Sequence, residues 1–438
     1  MNRITVQKFL DTEVVDFASY STIRAIASYI DGFKNSHRKV AYVTKYMNNK
    51  ETKVSILSGE IMAKSQYLHG DISGSIISIA QNFSGSNNIP LLTREGNFGT
   101  RFTPEASATR YIFTNKEKYF NLILNPEDDS ILIEQSFEGD IIEPRFFVPT
   151  LPLLLCNGSE GIATGFAQKI LPRNYKDIIK YIKAKLSNKK TPEVIPYFNN
   201  FNGTIKHDNS NQFIIEGTFK RVSKNRILIT EIPIGYSLDS YTKVLDKLQD
   251  NGLIRKYTDK SEDDKFIFEV QFDLKYLSKA TDDNILDIMK LKKKISENYT
   301  CIDENNKIKI FNNIYEILDA YIKIKLLYIN KRKQYKIKKY TEKISELEDR
   351  IKFIKAVVQE KLIINKQKIE TIIKNAKELG INNTENHLKM QVQSFTLEKL
   401  KELNIEIVTK KSELNELKKL LDYDIWMNDI SNLVKGLK

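Results

Sequence analysis

Cysteine and histidine are scarce. Only Cys156, Cys301, His37, His69, His207 and His387 occur in 438 residues. That is too few for a disulfide framework or a Cys-based zinc site, and it fits a reducing compartment. No apolar run approaches the ~18 residues that a membrane span needs. The opening MNRITVQKFLDTEVVDF lacks the hydrophobic stretch of a secretion signal. The expectation is a cytoplasmic chain with no membrane partner. No GxxxxGKS or GxxxxGKT segment is present, so nucleotide hydrolysis is not expected of this chain itself. Proline is absent after Pro233, and 253–379 contain neither glycine nor proline. The second half is therefore free to carry long helices.

Basic residues are plentiful. Lys+Arg number 69 against 56 Asp+Glu, a net charge of +13 that favours a polyanionic partner such as nucleic acid. The abundance of Lys, Ile and Asn is also what an AT-rich coding sequence produces. From Ile337 the apolar positions continue at Tyr340, Ile344, Leu347, Ile351, Ile354 and Val358, a 3-4 alternation that draws one stripe along a helix. Leu400, Leu403, Ile407, Leu414, Leu417 and Leu421 repeat the spacing, with Lys410 at the one polar slot. About forty residues join the stripes. This predicts an antiparallel coiled-coil hairpin with a small helical tip, although two ordinary amphipathic bundle helices fit the same spacing.

The first third reads differently. Residues 51–66 predict a helix, Leu68-His69-Gly70 a turn, and 71–83 a second helix with Ile72, Ile76, Ile79, Ala80 and Phe83 on one face. This helix-turn-helix pattern, followed by a glycine-punctuated hairpin or wing at 91–102, suggests a winged-helix DNA-binding module. Residues 203–233 alternate like strands, so the middle is expected to be mixed α and β. Two acidic fragments, Glu138-Gly139-Asp140 and Asp422-Tyr423-Asp424, invite a metal site but lie far apart in sequence, and no metal is assigned to this chain.

A cluster of short motifs is more specific than any of these patterns. DGFKNSHRKVAY (31–42), LHGD (68–71), QNFSGSNNIPLLTREGNFGTR (81–101), ATRY (108–111), VPTLPLLLCNGSEGIATGFAQKILPRN (148–174), FKRVSKNRILITEIPIG (219–235) and DYDIWMNDI (422–430) stand in one order. They resemble the DNA breakage-reunion subunit of type IIA DNA topoisomerases, and within that family are most similar to the medium subunit of T-even-type bacteriophage enzymes. The resemblance implies an α+β multidomain chain. It would hold an N-terminal arm (1–20), a winged-helix domain (21–150), a mixed α/β tower domain (151–312) and a long antiparallel coiled coil (313–365 and 397–425). A small helical dimerisation tip (366–396) and a tail (426–438) complete it.

By the same resemblance Tyr111 is the nucleophile that attacks a backbone phosphate, leaving a 5′-phosphotyrosine and a free 3′-hydroxyl. One phosphodiester replaces another, so resealing needs no ATP. Arg110 and Arg24 would stabilise the phenolate and the charge on the phosphate oxygens, since guanidinium groups stay cationic and offer paired donors. His69 would donate a hydrogen bond or relay a proton. Lys34, Arg38, Asp31, Ser73 and Arg101 are assigned to DNA binding, and Ile170 to a wedge between base pairs. The implied partners are double-stranded DNA, a second copy through the tip (the C-gate), and a large subunit with ATPase and toprim modules, with or without a further small subunit. That large subunit would hold Mg2+ and ATP, and the setting would be the cytoplasm or nucleoid of an infected host. A purely architectural DNA-binding protein has no use for a phenol beside Arg110. A tyrosine recombinase or type IB enzyme carries its nucleophile near the C-terminus, not in the first third.

Overall fold

A computed structural model describes residues 5–48, 50–209, 211–391 and 394–438. Residues 1–4 of the expected arm, 49 and 210 of the next two expected domains, and 392–393 of the expected tip lie outside the described residues. The chain divides into two compact units, Met1–Lys325 with Asp429–Lys438, and Leu326–Asn428.

In the first unit the expected arm is helical. It runs from Val6 through a wider π turn at Leu10–Val14 into α1 (Val15–Ala25). Next come α2 (Asn35–Lys45), α3 (Val54–Lys64) and α4 (Ser73–Ala80). Helix α3 buries Val54, Leu57 and Ile61, one helical stripe, and Ile72, Ile76, Ile79 and Ala80 bury the matching face of α4. Each of these valine, leucine and isoleucine side chains contributes roughly 1.5–3 kcal/mol when taken from water. Both helices are shorter than the periodicity suggests. Helix α3 starts late because Thr52–Lys53 (β1) pair antiparallel with Phe113–Thr114 (β2), and it stops where the Ser65 hydroxyl bonds back to the Ile61 carbonyl. Asp71 opens α4 from one residue outside, accepting hydrogen bonds from the Ser73 amide (3.0 Å) and the hydroxyls of Ser73 and Ser58. The expected wing at 91–102 does not fold on itself. It bridges instead to the chain after Tyr111, Leu92 to Lys116 and Glu95 to Phe113.

A hairpin follows, Ser159–Ala163 (β3) against Phe166–Ile170 (β4), closed by Thr164-Gly165 with Gly165 at φ +81°. Strands β5 (Thr204–Asn209), β6 (Gln212–Glu216), β7 (Thr218–Ser223) and β8 (Arg226–Glu231) occupy the segment expected to alternate. With helix α5 (Leu238–Asp250) and strands β9 (Lys256–Asp259), β10 (Phe268–Gln271) and β11 (Lys292–Ser296) they build two antiparallel sheets, ordered β9-β10-β8-β7 and β11-β6-β5. Ile227, Ile229, Phe268 and Val270 of the larger sheet pack on Tyr241, Leu245 and Leu248 of α5.

The second unit is helical. Helix α6 (Ile314–Val358) reaches into it, followed by α7 (Ile369–Glu378), α8 (Leu397–Lys419) and the start of α9 (Asp422–Gly436). Leu347, Ile351 and Ile354 pack on Leu400, Leu403 and Ile407. Lys333 donates to the Leu420 carbonyl at the end of α8 (2.6 Å), while farther along α6 Glu348 pairs with Lys411, and this opposite chain order fixes the helices as antiparallel. The stripe is imperfect at its ends. Leu421 is 66% exposed because α8 stops at Lys419, and Val358 is also exposed. Phe353 and Ala356 face away from α8 and bury against Leu362, Ile372, Ala376 and Ile381, so the end of α6 serves two apolar seams. Residues 426–438, expected as a tail, belong mostly to α9, and Trp426 is wholly buried.

Candidate active site

Helix α3 begins with backbone amides that no helical carbonyl satisfies, as every helix does. Here the Tyr111 loop supplies the partners. The Val54 amide donates to the Ile112 carbonyl (3.0 Å) and the Ser55 amide to the Thr109 carbonyl (3.3 Å). Phe113 and Glu95 exchange backbone hydrogen bonds on the other side. The turn before this loop requires glycine at Gly99, whose φ is +90° and where a Cβ would run into the Pro104 carbonyl oxygen. Ile112 is buried, while the Tyr111 ring beside it is 64% exposed. The exposed Arg110 holds its guanidinium carbon 4.8 Å from the centre of that ring. A fixed backbone thus presents a phenol and a permanent cation together to solvent.

Arg24 and His69 meet in a second place. They line a cleft of about 360 Å³ together with Tyr20, Tyr67, Lys39 and Glu143. The Tyr20 hydroxyl is hydrogen-bonded to the His69 ring, and the two ring centres lie 5.4 Å apart. Tyr67 meets His69 edge-on at 5.5 Å, and the Arg24 guanidinium sits 5.4 Å over the Tyr20 ring. Desolvation, then the charges of Arg24 and Lys39, hold the His69 pKa below its ordinary value, which favours the neutral ring. Tyr111 is not among the residues lining this cleft. One chain therefore brings together Arg110 with Tyr111, and Arg24 with His69, as two separate pairs.

Five residues expected to contact DNA are buried or committed to partners inside the protein. Asp31 is wholly buried, and its carboxylate takes Arg38 at 2.7 and 3.1 Å and the Phe147 amide at 3.1 Å, so this pair ties loops together inside the protein. Ser73 is buried with its hydroxyl committed to Asp71. Arg101 is buried against Glu231 (2.5 Å) and the Ile232 carbonyl (2.6 Å). Ile170 is only 3% exposed, because it stands at the root of the β3–β4 hairpin opposite Ser159. Near the hairpin tip Ile162 is 83% exposed. Lys34 remains on the wall of a cavity of about 470 Å³ beside Lys169 and Lys293, its ammonium donating to the Glu160 carbonyl at 2.7 Å. Burial lowers its pKa against the opposing charge of Glu160.

Sequence reasoning missed Tyr20, Tyr67 and Ile162. Tyr20 stands four residues before Arg24, the spacing of helix neighbours, and that was the available signal. Among the described residues no three His, Cys, Asp or Glu side chains converge. Asp140 takes a hydrogen bond from Gln66 and Asp422 from Asn330.

The family model of the DNA gyrase/topoisomerase IV A subunit matches residues 24–431. DNA topoisomerase 2, mitochondrial, of Dictyostelium discoideum is 30% identical over the whole chain, which spans 36% of that relative. DNA topoisomerase 2 of Acanthamoeba polyphaga mimivirus is 28% identical over 99% of the chain, which spans 41% of it. Among solved structures, the Plasmodium falciparum topoisomerase II DNA-binding, cleavage and re-ligation domain superposes with a TM-score of 0.89 at 30% identity, covering 98% of this chain and 64% of that one. The relatives named are eukaryotic and giant-virus enzymes; the likeness to a T-even phage subunit rests on the motifs alone.

Proposed function

The chain belongs to the family of DNA gyrase and topoisomerase IV A subunits, and we propose that its own part is to cut and reseal double-stranded DNA through Tyr111. The observation that carries this reading is the exposed Tyr111 phenol on a loop pinned to the start of α3, with Arg110 against its ring. The phenolate oxygen bonds to phosphorus, the 3′-oxygen leaves and takes up a proton, and a 5′-phosphotyrosine holds the end. Resealing reverses these steps. A phenol with a pKa of about 10 is mostly protonated at neutral pH. Arg110 offsets the charge that develops on the phenol and the phosphate oxygens. Loss of one such donor typically slows chemistry by about 10²–10³.

The second pair, Arg24 and His69, completes the site when two copies assemble, the cleft of one meeting the Tyr111 loop of the other. Helices α2–α4 act as a winged-helix domain, the two sheets with α5 as a tower, and the α6–α8 pair as a coiled coil whose tip is the dimeric exit gate. Ile162, not Ile170, enters the base stack, at a cost of a few kcal/mol that the bent duplex offsets. Mg2+ and ATP belong to a partner with toprim and ATPase modules, and no step here passes through them. The motif likeness to a separately encoded phage subunit is what supports relaxation and decatenation during phage DNA replication.

The test mixes purified chain, a toprim- and ATPase-bearing partner, magnesium and plasmid, stops the reaction with detergent, and looks for protein on 5′ DNA ends. Tyr111→Phe is expected to abolish the adduct while DNA binding persists. An adduct that survives this substitution removes Tyr111 from the reaction.

A further inference from the structure

Tyr20 is bound to both members of the Arg24–His69 pair, yet no motif of the sequence includes it. It lies on α1 one helical turn before Arg24, so its ring passes beneath the guanidinium at 5.4 Å while its hydroxyl reaches the His69 ring on the turn before α4. These contacts join two elements distant in sequence. Tyr67 also meets the imidazole edge-on, so two aromatic rings contact His69.

Resting on the cleavage reading above, we propose that Tyr20 is a positioning residue that fixes the tautomer of His69 and the placement of Arg24. The hydroxyl meets both ring nitrogens, Nε2 more closely and Nδ1 at 3.2 Å; in this proposal its O–H donates to Nε2, which leaves the proton of the neutral ring on Nδ1. Left alone, an imidazole favours the Nε2–H form. With Tyr20 in place Nδ1–H is the donor available to a phosphate oxygen. Because the hydrogen bond is made to the neutral ring, it works in the same direction as desolvation and the charges of Arg24 and Lys39. The charged and titratable groups around the ring are Arg24 and Tyr20 from α1, Lys39 from α2, Tyr67 from the preceding turn and Glu143 across the cleft.

Two substitutions separate the contacts. Tyr20→Phe keeps a ring beneath Arg24 and removes only the hydroxyl; Tyr20→Leu removes both. Nitrogen NMR of the full chain labelled in histidine reads the His69 tautomer and titration directly, without any need for cleavage. In Tyr20→Phe the proton is expected to move to Nε2 and the His69 pKa to rise. With the partner subunit present, the acid limb of the cleavage pH profile should rise with it, and cleavage at neutral pH should slow by about three- to tenfold, the worth of one hydrogen bond. DNA affinity should hold, and Tyr20→Leu should slow cleavage further. An unchanged His69 spectrum overturns the proposal, as does a changed spectrum with an unmoved pH profile. If instead the adduct persists in Tyr111→Phe, the nucleophile assignment has failed, and the spectrum still reports the Tyr20–His69 bond separately.

Discussion

Arg110 and Arg173 are both arginines in family-like motifs, and the fold uses them in opposite ways. Arg110 stands in the open with the Tyr111 ring beside it. Arg173 is wholly buried, giving two 2.5 Å hydrogen bonds to Glu297, which also accepts from the Leu171 amide (2.6 Å) and the Tyr299 hydroxyl (2.9 Å). Arg38 with Asp31, Lys39 with Glu143 and Arg101 with Glu231 follow the second pattern. A basic residue in a motif is thus either a tool left facing solvent or a tie inside the protein. The presence of a buried carboxylate decides which, because an enclosed cation without one is too costly to keep.

The largest effect that sharpens this contrast comes from breaking a tie. Glu297→Ala leaves Arg173 enclosed and unpaired, and should lower the unfolding free energy by about 3–5 kcal/mol, measured by urea denaturation. If that loss is below ~1 kcal/mol, the two classes of arginine are not distinct. Arg110→Ala should do the reverse, moving stability by no more than ~0.5 kcal/mol while slowing cleavage about 10²–10³ fold in the assembled enzyme. The smallest effect concerns His37. Burial, then the charges of Lys34 and Arg38, push its pKa down to about 4 from an ordinary 6.5. The unfolded ring takes up a proton that the folded one refuses, so this group's contribution is complete above the unfolded value. It is lost as pH falls from about 6.5 toward about 4. The wild type should therefore lose more stability across that window than His37→Gln, and equal slopes would contradict the assignment.

Much of the frame was legible because it depends on local periodicity. The isoleucines of α4, the alternation at 203–233 and the stripes of α6 and α8 all report which face is apolar. The partners of buried charges were not legible. Arg101 and Glu231 are 130 residues apart, and even Asp31 and Arg38, seven apart, meet only after the loop between them has folded. Ile162 and Ile170 look alike in sequence and differ only in their distance from the hairpin turn, which sends one to the tip and the other to the root. The supposed wing is equally a matter of context. Its edge finds the strand after Tyr111, and by doing so it helps hold the phenol in place.

Lys410 occupies a slot in the α6–α8 seam where an apolar residue is the rule. Its ammonium lies 5.4 Å over the Tyr340 ring and pairs with Glu413 at 2.8 Å. Leucines stacked on isoleucines tolerate a slide of one turn, since each meets another of its kind, but a cation has a single aromatic seat. Slippage by ~5.4 Å would take the ammonium off that ring, while Glu413, on the same helix, would move with it. The hairpin therefore carries, in one cation on one ring, a contact that indexes its two helices.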